Sequence, residues 1–302
     1  MRAIAAPASL KGVLSAVAGA EALADGLRTG GAEAVAMPVA DGGDGTLEVL
    51  ACALGGEWHE TDVSAPLGGT VRARWLLVRS SDKVSQGWTA VVESARALGF
   101  QTVSRLDPLL ASSRGLGDLI LAAAPEAESL LVCLGGTVTV DGGAGMREVL
   151  DELPLPTRVA CDVLSPLLDA AYVFARQKGA SEDQLDELAD RLRGLPDVPG
   201  AGAAGGLGGA FAALGAELVP GAPLVLDEIG FDPRGHDLVV TGEGAVDETT
   251  WAGKAPGEVV RRCREAGVRC ELFSARDDLS GDPARAREDL VELGERLACE
   301  LA

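Results

Sequence analysis

The residues best suited to chemistry in this sequence are carboxylates and lysines set in glycine loops. Asp41-Gly42-Gly43-Asp44-Gly45-Thr46 and Asp141-Gly142-Gly143-Ala144-Gly145 each follow an apolar, strand-like run and open into a helix-like one. Aspartate supplies an anionic oxygen for a hard cation or a hydroxyl. Glycine admits a positive φ and lets another group come close. Strand, acidic glycine loop, helix is the order in which open α/β folds build polar sites, at the carboxyl ends of their strands. One such loop is also an ordinary tight turn, its aspartate a helix N-cap. Two of the same type in one chain argue for a site.

Lysine usage points the same way. Of 26 basic residues only Lys11, Lys83, Lys178 and Lys254 are lysine, and three of these touch glycine, in Ser9-Leu10-Lys11-Gly12, Gln177-Lys178-Gly179 and Gly253-Lys254-Ala255-Pro256. A compact ammonium and arginine's planar fork are not equivalent around a phosphate. Lys11, Lys178 and Lys254 are therefore candidates for holding an anion, whereas Lys83, in the polar run from Ser80 to Gln86, suits plain surface.

The elements that must position these groups come from a chain of 302 residues, long enough for two domains or one large α/β unit. A net charge of −20 argues against nucleic acid and against anionic lipid as partners. It does not exclude a phosphorylated ligand, since local lysines and backbone N–H groups outweigh a distant field. The six cysteines show no Cys-x-x-Cys pair and no zinc-ligand spacing with histidine, and read as reduced thiols of a cytoplasmic protein. The opening Met1 to Pro7 is too short an apolar run for a signal peptide, and no run approaches membrane-spanning length.

Strand-like residues 2–6, a helical period from Val13 to Leu27, a strand from Val35 to Ala40 and a helix from Thr46 to Leu54 predict a parallel, Rossmann-like opening. From Glu57 to Ser81 the pattern changes to a hairpin around Pro66-Leu67-Gly68-Gly69. Further strands are expected at Ala90 to Glu93, Leu130 to Leu134 and Val159 to Val163, then at Asp237 to Thr241 and Cys270 to Ser274, with a closing amphipathic helix from Ala284 to Leu301. The expected fold is α/β in two domains: a Rossmann-like parallel α/β/α domain built from both chain ends, 1–58 and 233–302, and an inserted mixed α/β domain, 59–232. The site is expected in the cleft between them.

Gly200, Gly202 and Gly205 satisfy G-x-G-x-x-G, but Leu195-Pro196-Asp197-Val198-Pro199 precedes them where a strand should stand. Close helix packing or a phosphate-facing turn is the better reading than dinucleotide binding. No P-loop is present, and no Gly-x-Ser-x-Gly accompanies His59 or His236, which read as structural or solvated.

As a set, the motifs resemble the bacterial glycerate kinase type I family. The blocks, in family order over residues 1 to about 275, are Ala6-Pro7-x-Ser9-x-Lys11-Gly12-x-Leu14-Ser15-Ala16, Pro38 to Thr46, Ala111 to Ile120, Leu134 to Met146, Val159 to Val163, Gln177 to Ala180, Gly200 to Gly208, and Thr241-Gly242-Glu243-Gly244 through Asp247 to Pro256. The chain departs from the family pattern at Ala8 (aspartate), Thr137 (serine), Val140 (asparagine), Ser165 (asparagine), Ala245 (arginine), Thr249 (glutamine) and Ala252 (often arginine), and is shorter near its C-terminus.

The resemblance implies ATP-dependent phosphorylation of D-glycerate with magnesium. Lys11 and Lys254 would contact phosphate oxygens or the glycerate carboxylate; Asp41 and Asp44 would hold Mg²⁺. Asp141 or Asp247 would accept the proton of the attacking hydroxyl. Gly135, Gly136, Gly142 and Gly143 would offer N–H groups to an anion, and Ser9, Gly42, Gly43, Thr137, Lys178 and Glu243 complete the set expected to bind substrate or nucleotide. Losing the charged groups at positions 8 and 245 keeps a second expectation open: a glycerate-kinase-like protein that binds a nucleotide or small hydroxy acid without catalysis, or with altered specificity. The partners expected are a nucleotide and a small hydroxy acid, for a monomer or homodimer.

Overall fold

Ten strands run through the described residues, 1–79 and 87–300 of a computed structural model. They are β1 (Arg2–Ala5), β2 (Glu33–Ala36), β3 (Glu57–Ser64), β4 (Thr70–Arg79), β5 (Trp88–Glu93), β6 (Ser129–Leu134), β7 (Thr157–Cys161), β8 (Glu217–Pro220), β9 (Leu238–Glu243) and β10 (Arg269–Ser274). They make two sheets. The first is parallel throughout, in the order β10-β9-β1-β2. The second is mixed, β3-β4-β5-β6-β7-β8, antiparallel from β3 to β5 and parallel from β5 to β8. A parallel sheet and a mixed sheet are the α/β architecture the sequence predicts.

The chain divides into two compact units, one of residues 1–41, 48–53 and 225–302, the other of 42–47 and 54–224. The sequence places the crossings at 58 and 233. Glu57 already pairs with Leu77 in the mixed sheet, which draws the chain from Leu54 into the second unit. The return falls inside the helix Gly221–Glu228. Residues 42–47 of the first acidic loop also belong to the second unit.

In the first unit, helix α1 (Ala16–Thr29) starts where Ser15 Oγ accepts the Ala18 N–H at 3.2 Å. The helical period begins at Val13, but Gly12 at φ 76° and a bridge between Leu10 and Leu14 keep that stretch a turn. β2 ends at Ala36 rather than at Ala40, because Pro38 has no N–H for the ladder. Met37 and Val39 still donate to Ala5 and Pro7 carbonyls, so irregular chain follows β1 toward Asp41. The closing helix covers Ala286–Glu300, the turn at Asp282 and Pro283 delaying its start; Leu301 lies outside the described residues. It packs on α1 through glycine: a Cβ on Gly26 would lie 2.0 Å from the Val291 carbonyl oxygen, and one on Gly294 would lie 2.5 Å from that of Leu23. Leu23, Leu27, Leu290, Leu297, Val240 and Phe273 fill the core beneath.

Helix α2 (Thr46–Leu54) opens from the acidic loop as expected, with residues 48–53 in the first unit and its ends in the second. The hairpin β3–β4 also forms as expected, with longer strands than its alternation suggests. β7 sits two residues before its predicted span, and β8, with only four residues, was not anticipated. Phe211, Leu116, Ile120, Leu130 and Val132 are fully buried or nearly so at the centre of the core. The glycine-rich run serves close packing. Gly205 and Gly206 have φ 78° and 88° inside the helix Ala203–Ala213, and a Cβ on Gly205 would come within 1.9 Å of the Thr139 carbonyl oxygen. Lys83, read as surface, lies outside the described residues.

Substituting Gly26→Val forces α1 and the closing helix apart and is expected to cost about 1–3 kcal/mol, the usual range for overpacking. Thermal unfolding checks it; an unchanged midpoint would show that the contact can slide.

Candidate functional site

Five of the residues singled out in the sequence meet in one pocket of the first unit. A pocket of about 450 Å³ is lined by Ser9, Lys11, Glu243, Asp247 and Lys254, with Arg276 beside them. Ser9 and Lys11 come from the loop after β1; Glu243 is the last residue of β9, and Asp247 and Lys254 follow it. All lie at the carboxyl ends of parallel strands, where such folds carry their sites.

Within the pocket the charges differ in availability. Glu243, buried, accepts from Thr250 Oγ1 at 2.7 Å and from Lys254 Nζ at 3.1 Å. Asp247 caps the short helix Glu248–Trp251: its Oδ1 takes the Thr249 N–H at 2.8 Å and also the Thr249 hydroxyl. These hydrogen bonds hold its carboxyl below the usual range, with Lys254 adding in the same direction. The Asp247 side chain also takes the Thr250 N–H, completing a capping box, and is itself exposed. The exposed Lys11 side chain makes no hydrogen bond or ion pair among the described residues.

The second unit gathers the other group, at the ends of β5, β6 and β7. The acidic loop lies against the Gly135-Gly136 turn so closely that a Cβ on Gly135 would fall 2.7 Å from Gly43 Cα, and one on Gly136 would fall 3.4 Å from Asp44 Cβ. Gly42 is enclosed likewise, its φ 91° and an added Cβ 3.1 Å from that of Ala160. Asp44 itself is exposed.

Three charged groups in this unit are buried and bound by the protein. Asp141 Oδ2 accepts from Ser113 N and Oγ, both at 2.8 Å, and from Gly145 N at 3.1 Å, while Oδ1 accepts from Gly143 N at 3.1 Å. Lys178, 4% exposed, donates to Thr139 O at 2.9 Å and to Thr137 Oγ1 at 3.2 Å. Burial pushes its pKa down to about 8, against the pull of Asp162 and Asp141. Glu93, fully buried, accepts Gly45 N and Leu47 N, each at 3.1 Å, with Arg96 Nε at 3.5 Å. Burial pushes its pKa up to about 8, opposed by Arg96 and by the Leu47 N–H.

The glycine N–H groups differ from the sequence-based expectation. Those of Gly142, Gly143 and Gly135 are taken by Gly205 O at 3.2 Å, Asp141 Oδ1 at 3.1 Å and Ser94 Oγ at 3.1 Å. They brace loops within the protein rather than face a ligand. Sequence reading missed Glu93, Ser94 and Ser113. The available signal for the first was a carboxylate ending the otherwise apolar run Ala90-Val91-Val92. The cysteines are free thiols; burial raises that of Cys161 to about 12, which leaves it unreactive.

A family model described as the glycerate kinase family matches residues 3–152 and 147–288. Glycerate 2-kinase of Escherichia coli (strain K12) is 37% identical over 311 aligned positions, covering 85% of this chain and 80% of that protein. Glycerate kinase of Bacillus subtilis (strain 168) is 36% identical over 323 positions, 89% of this chain and 83% of that one. A crystal structure of a Salmonella typhimurium LT2 protein, provisionally named glycerate kinase 2, superposes with a TM-score of 0.80 at 30% identity, over 100% of this chain and 98% of that one. No helix of the described residues is long and apolar enough to cross a membrane.

Lys178 supplies a pH test. Its ordinary value is 10.5 and its folded value about 8, so between these pH values the unfolded chain holds a proton that the folded chain has released. Stability relative to Lys178→Met should therefore rise with pH across that window, by about 3 kcal/mol at roughly 1.4 kcal/mol per pKa unit. Urea unfolding of both proteins at pH 7.5 and 10.5 measures it; a constant difference would refute the buried, strained ammonium.

Proposed function

The chain belongs to the glycerate kinase family, and on that footing we propose that it transfers the γ-phosphoryl group of ATP to a hydroxyl of D-glycerate, giving phosphoglycerate and ADP. The observation that carries this reading is the convergence of Ser9, Lys11, Glu243, Asp247 and Lys254 on one pocket of the first unit. Phosphoryl transfer needs positioning and charge cancellation more than covalent chemistry by the protein. Lys11 is the free ammonium for anionic oxygens of nucleotide or acid. Lys254 is held in place by Glu243, which Thr250 orients in turn. Asp247, exposed in the pocket and oriented by Thr249 and Thr250, takes the hydroxyl proton as the new P–O bond forms and the bond to ADP breaks. Asp141 is less suited, because four donors occupy its carboxylate.

Magnesium fits the donors present. Among the described residues no three or more His, Cys, Asp or Glu side chains gather into a metal cage. Mg²⁺ is commonly held by one or two carboxylates, with water and phosphate oxygens completing its shell. Asp41 and Asp44 are the carboxylates we assign to it, and the ion would neutralise charge on the phosphate oxygens.

A second reading, a binding protein or a kinase for another hydroxy acid, is favoured by Ala245. It lines the pocket where the family resemblance leads one to expect a guanidinium. Arg276, whose backbone N–H donates to Gly244 O at 3.0 Å, is also part of the pocket lining and carries a guanidinium.

ADP release from Mg·ATP, with and without D-glycerate, decides between them. Glycerate-dependent release that Lys11→Ala abolishes is expected; no release from folded protein would move the reading to the alternative. The two aspartates separate by a paired substitution. Asp247→Asn keeps a good N-cap and should lower kcat at least ~100-fold, within the span of acid–base contributions, with little change in stability. Asp141→Asn leaves buried donors facing an amide and should cost about 2–4 kcal/mol of stability. Undiminished kcat in the first variant would remove Asp247 as the base.

A further inference from the structure

Two consecutive side chains at the end of β5 grip two different loops. Glu93 takes the N–H groups of Gly45 and Leu47, one on each oxygen. Ser94 Oγ donates to Gly135 O at 3.0 Å and accepts from Gly135 N at 3.1 Å. The first pair of bonds secures the acidic loop on either side of Thr46; the second secures the Gly135-Gly136 turn. These loops touch at Gly43 and Gly135, so the position of Asp44 is referred to the sheet through both.

We propose that Glu93 is a positioning residue, whose buried carboxylate sets the acidic loop so that Asp44 is presented to the metal and phosphate of the reaction.

The choice of a carboxylate is informative. Burying an ionisable group is costly, and a buried polar group persists when its hydrogen bonds repay that cost. Arg96 is the only cation the structure places near Glu93 among the described residues, at 3.5 Å and partly exposed. The Glu93 carboxyl presents two oxygens and each accepts one N–H, so it satisfies two N–H groups at a helix start at once. An amide has one acceptor, and its NH₂ would oppose the second N–H. Thr46 does not replace it, because its hydroxyl donates to Gly43 O at 2.7 Å. Loop placement matters because displacement of a catalytic group by about 1 Å can cost about 100-fold in rate.

The proposal rests on the reading of Asp44 as a metal-binding carboxylate, and its test includes measurements that need no turnover. Glu93→Gln, Glu93→Asp and Ser94→Ala are compared with the unaltered chain by hydrogen–deuterium exchange of a peptide spanning residues 42–50, by Mn²⁺ affinity from water-proton relaxation, and by kcat and KM in the ADP-release assay. Expected in Glu93→Gln are exchange in that peptide at least ~10-fold faster, with peptides of the parallel sheet unchanged, and Mn²⁺ affinity several-fold weaker. A kcat at least ~10-fold lower is expected beside a glycerate KM within ~2-fold. Glu93→Asp, which keeps two acceptors on a shorter arm, should recover part of each change, and Ser94→Ala should loosen the peptide covering residues 134–140. If Glu93→Gln does not fold, Glu93→Asp carries the same comparison. Faster exchange with unaltered Mn²⁺ affinity and kcat would make Glu93 a structural residue alone and overturn the proposal. Unaltered exchange would overturn the bracket itself. If the unaltered chain phosphorylates no glycerate, exchange and Mn²⁺ affinity still decide the inference, separately from the reaction.

Discussion

The second unit depends on charge held away from water by backbone and hydroxyl donors. Asp141 is the clearest case: four donors from Ser113, Gly143 and Gly145 meet its two oxygens. They join the start of the helix Arg114–Ala123 to the second acidic loop. Ser113 Oγ also accepts the Met146 N–H at 3.0 Å, which continues the connection. A neutral side chain could not collect four donors, and an unsatisfied carboxylate here would be expensive. The apolar core built on Leu116, Ile120 and Met146 is therefore assembled around an anion whose bonds must all form together.

Glycine is the second constraint, and it follows from the first. Loops that wrap buried charged groups this tightly have no room for side chains between them. A Cβ on Gly145 would lie 2.0 Å from Ser112 Oγ, and one on Gly205 would meet the Thr139 carbonyl whose oxygen accepts from Lys178. The Gly-Ala-Gly-Ala-Ala-Gly-Gly run, whose spelling overlaps a dinucleotide fingerprint, is thus spent on backbone contact. Its context in sequence, with no strand before it, already pointed there.

The sequence was legible where a pattern has one physical meaning. Alternation around Pro66 to Gly69 read as a hairpin, which β3 and β4 form, and the apolar runs before the acidic loops read as strands, which they are in their first part. Boundaries were less legible, because β2 is stopped by Pro38 and α1 is started by Ser15 rather than by hydrophobic period. In the site, lysine usage picked out Lys11 and Lys254, and the family resemblance added Ser9, Glu243 and Asp247; all five line one pocket. Neither found Glu93, Ser94 or Ser113. Their partners lie 28 to 48 residues away along the chain, and no local pattern records such pairings. The resemblance also assigned the glycine N–H groups to a ligand, when two side chains and a backbone carbonyl of the same unit claim three of them.

This division explains which groups remain available for chemistry. Asp141, Lys178 and Glu93 are satisfied within the protein, and moving them would dismantle the loops they brace. Lys11, Asp44 and Asp247 are exposed and can meet something from outside. An enzyme that transfers a highly charged group gains from this arrangement, since groups already oriented need no reorganisation when charge develops. The buried set supplies the rigidity, and the exposed set retains the vacant hydrogen-bonding capacity. Ala245 fits the same logic. A guanidinium there would have been a further exposed cation, so its absence changes what the pocket can hold without loosening the braces that shape the second unit.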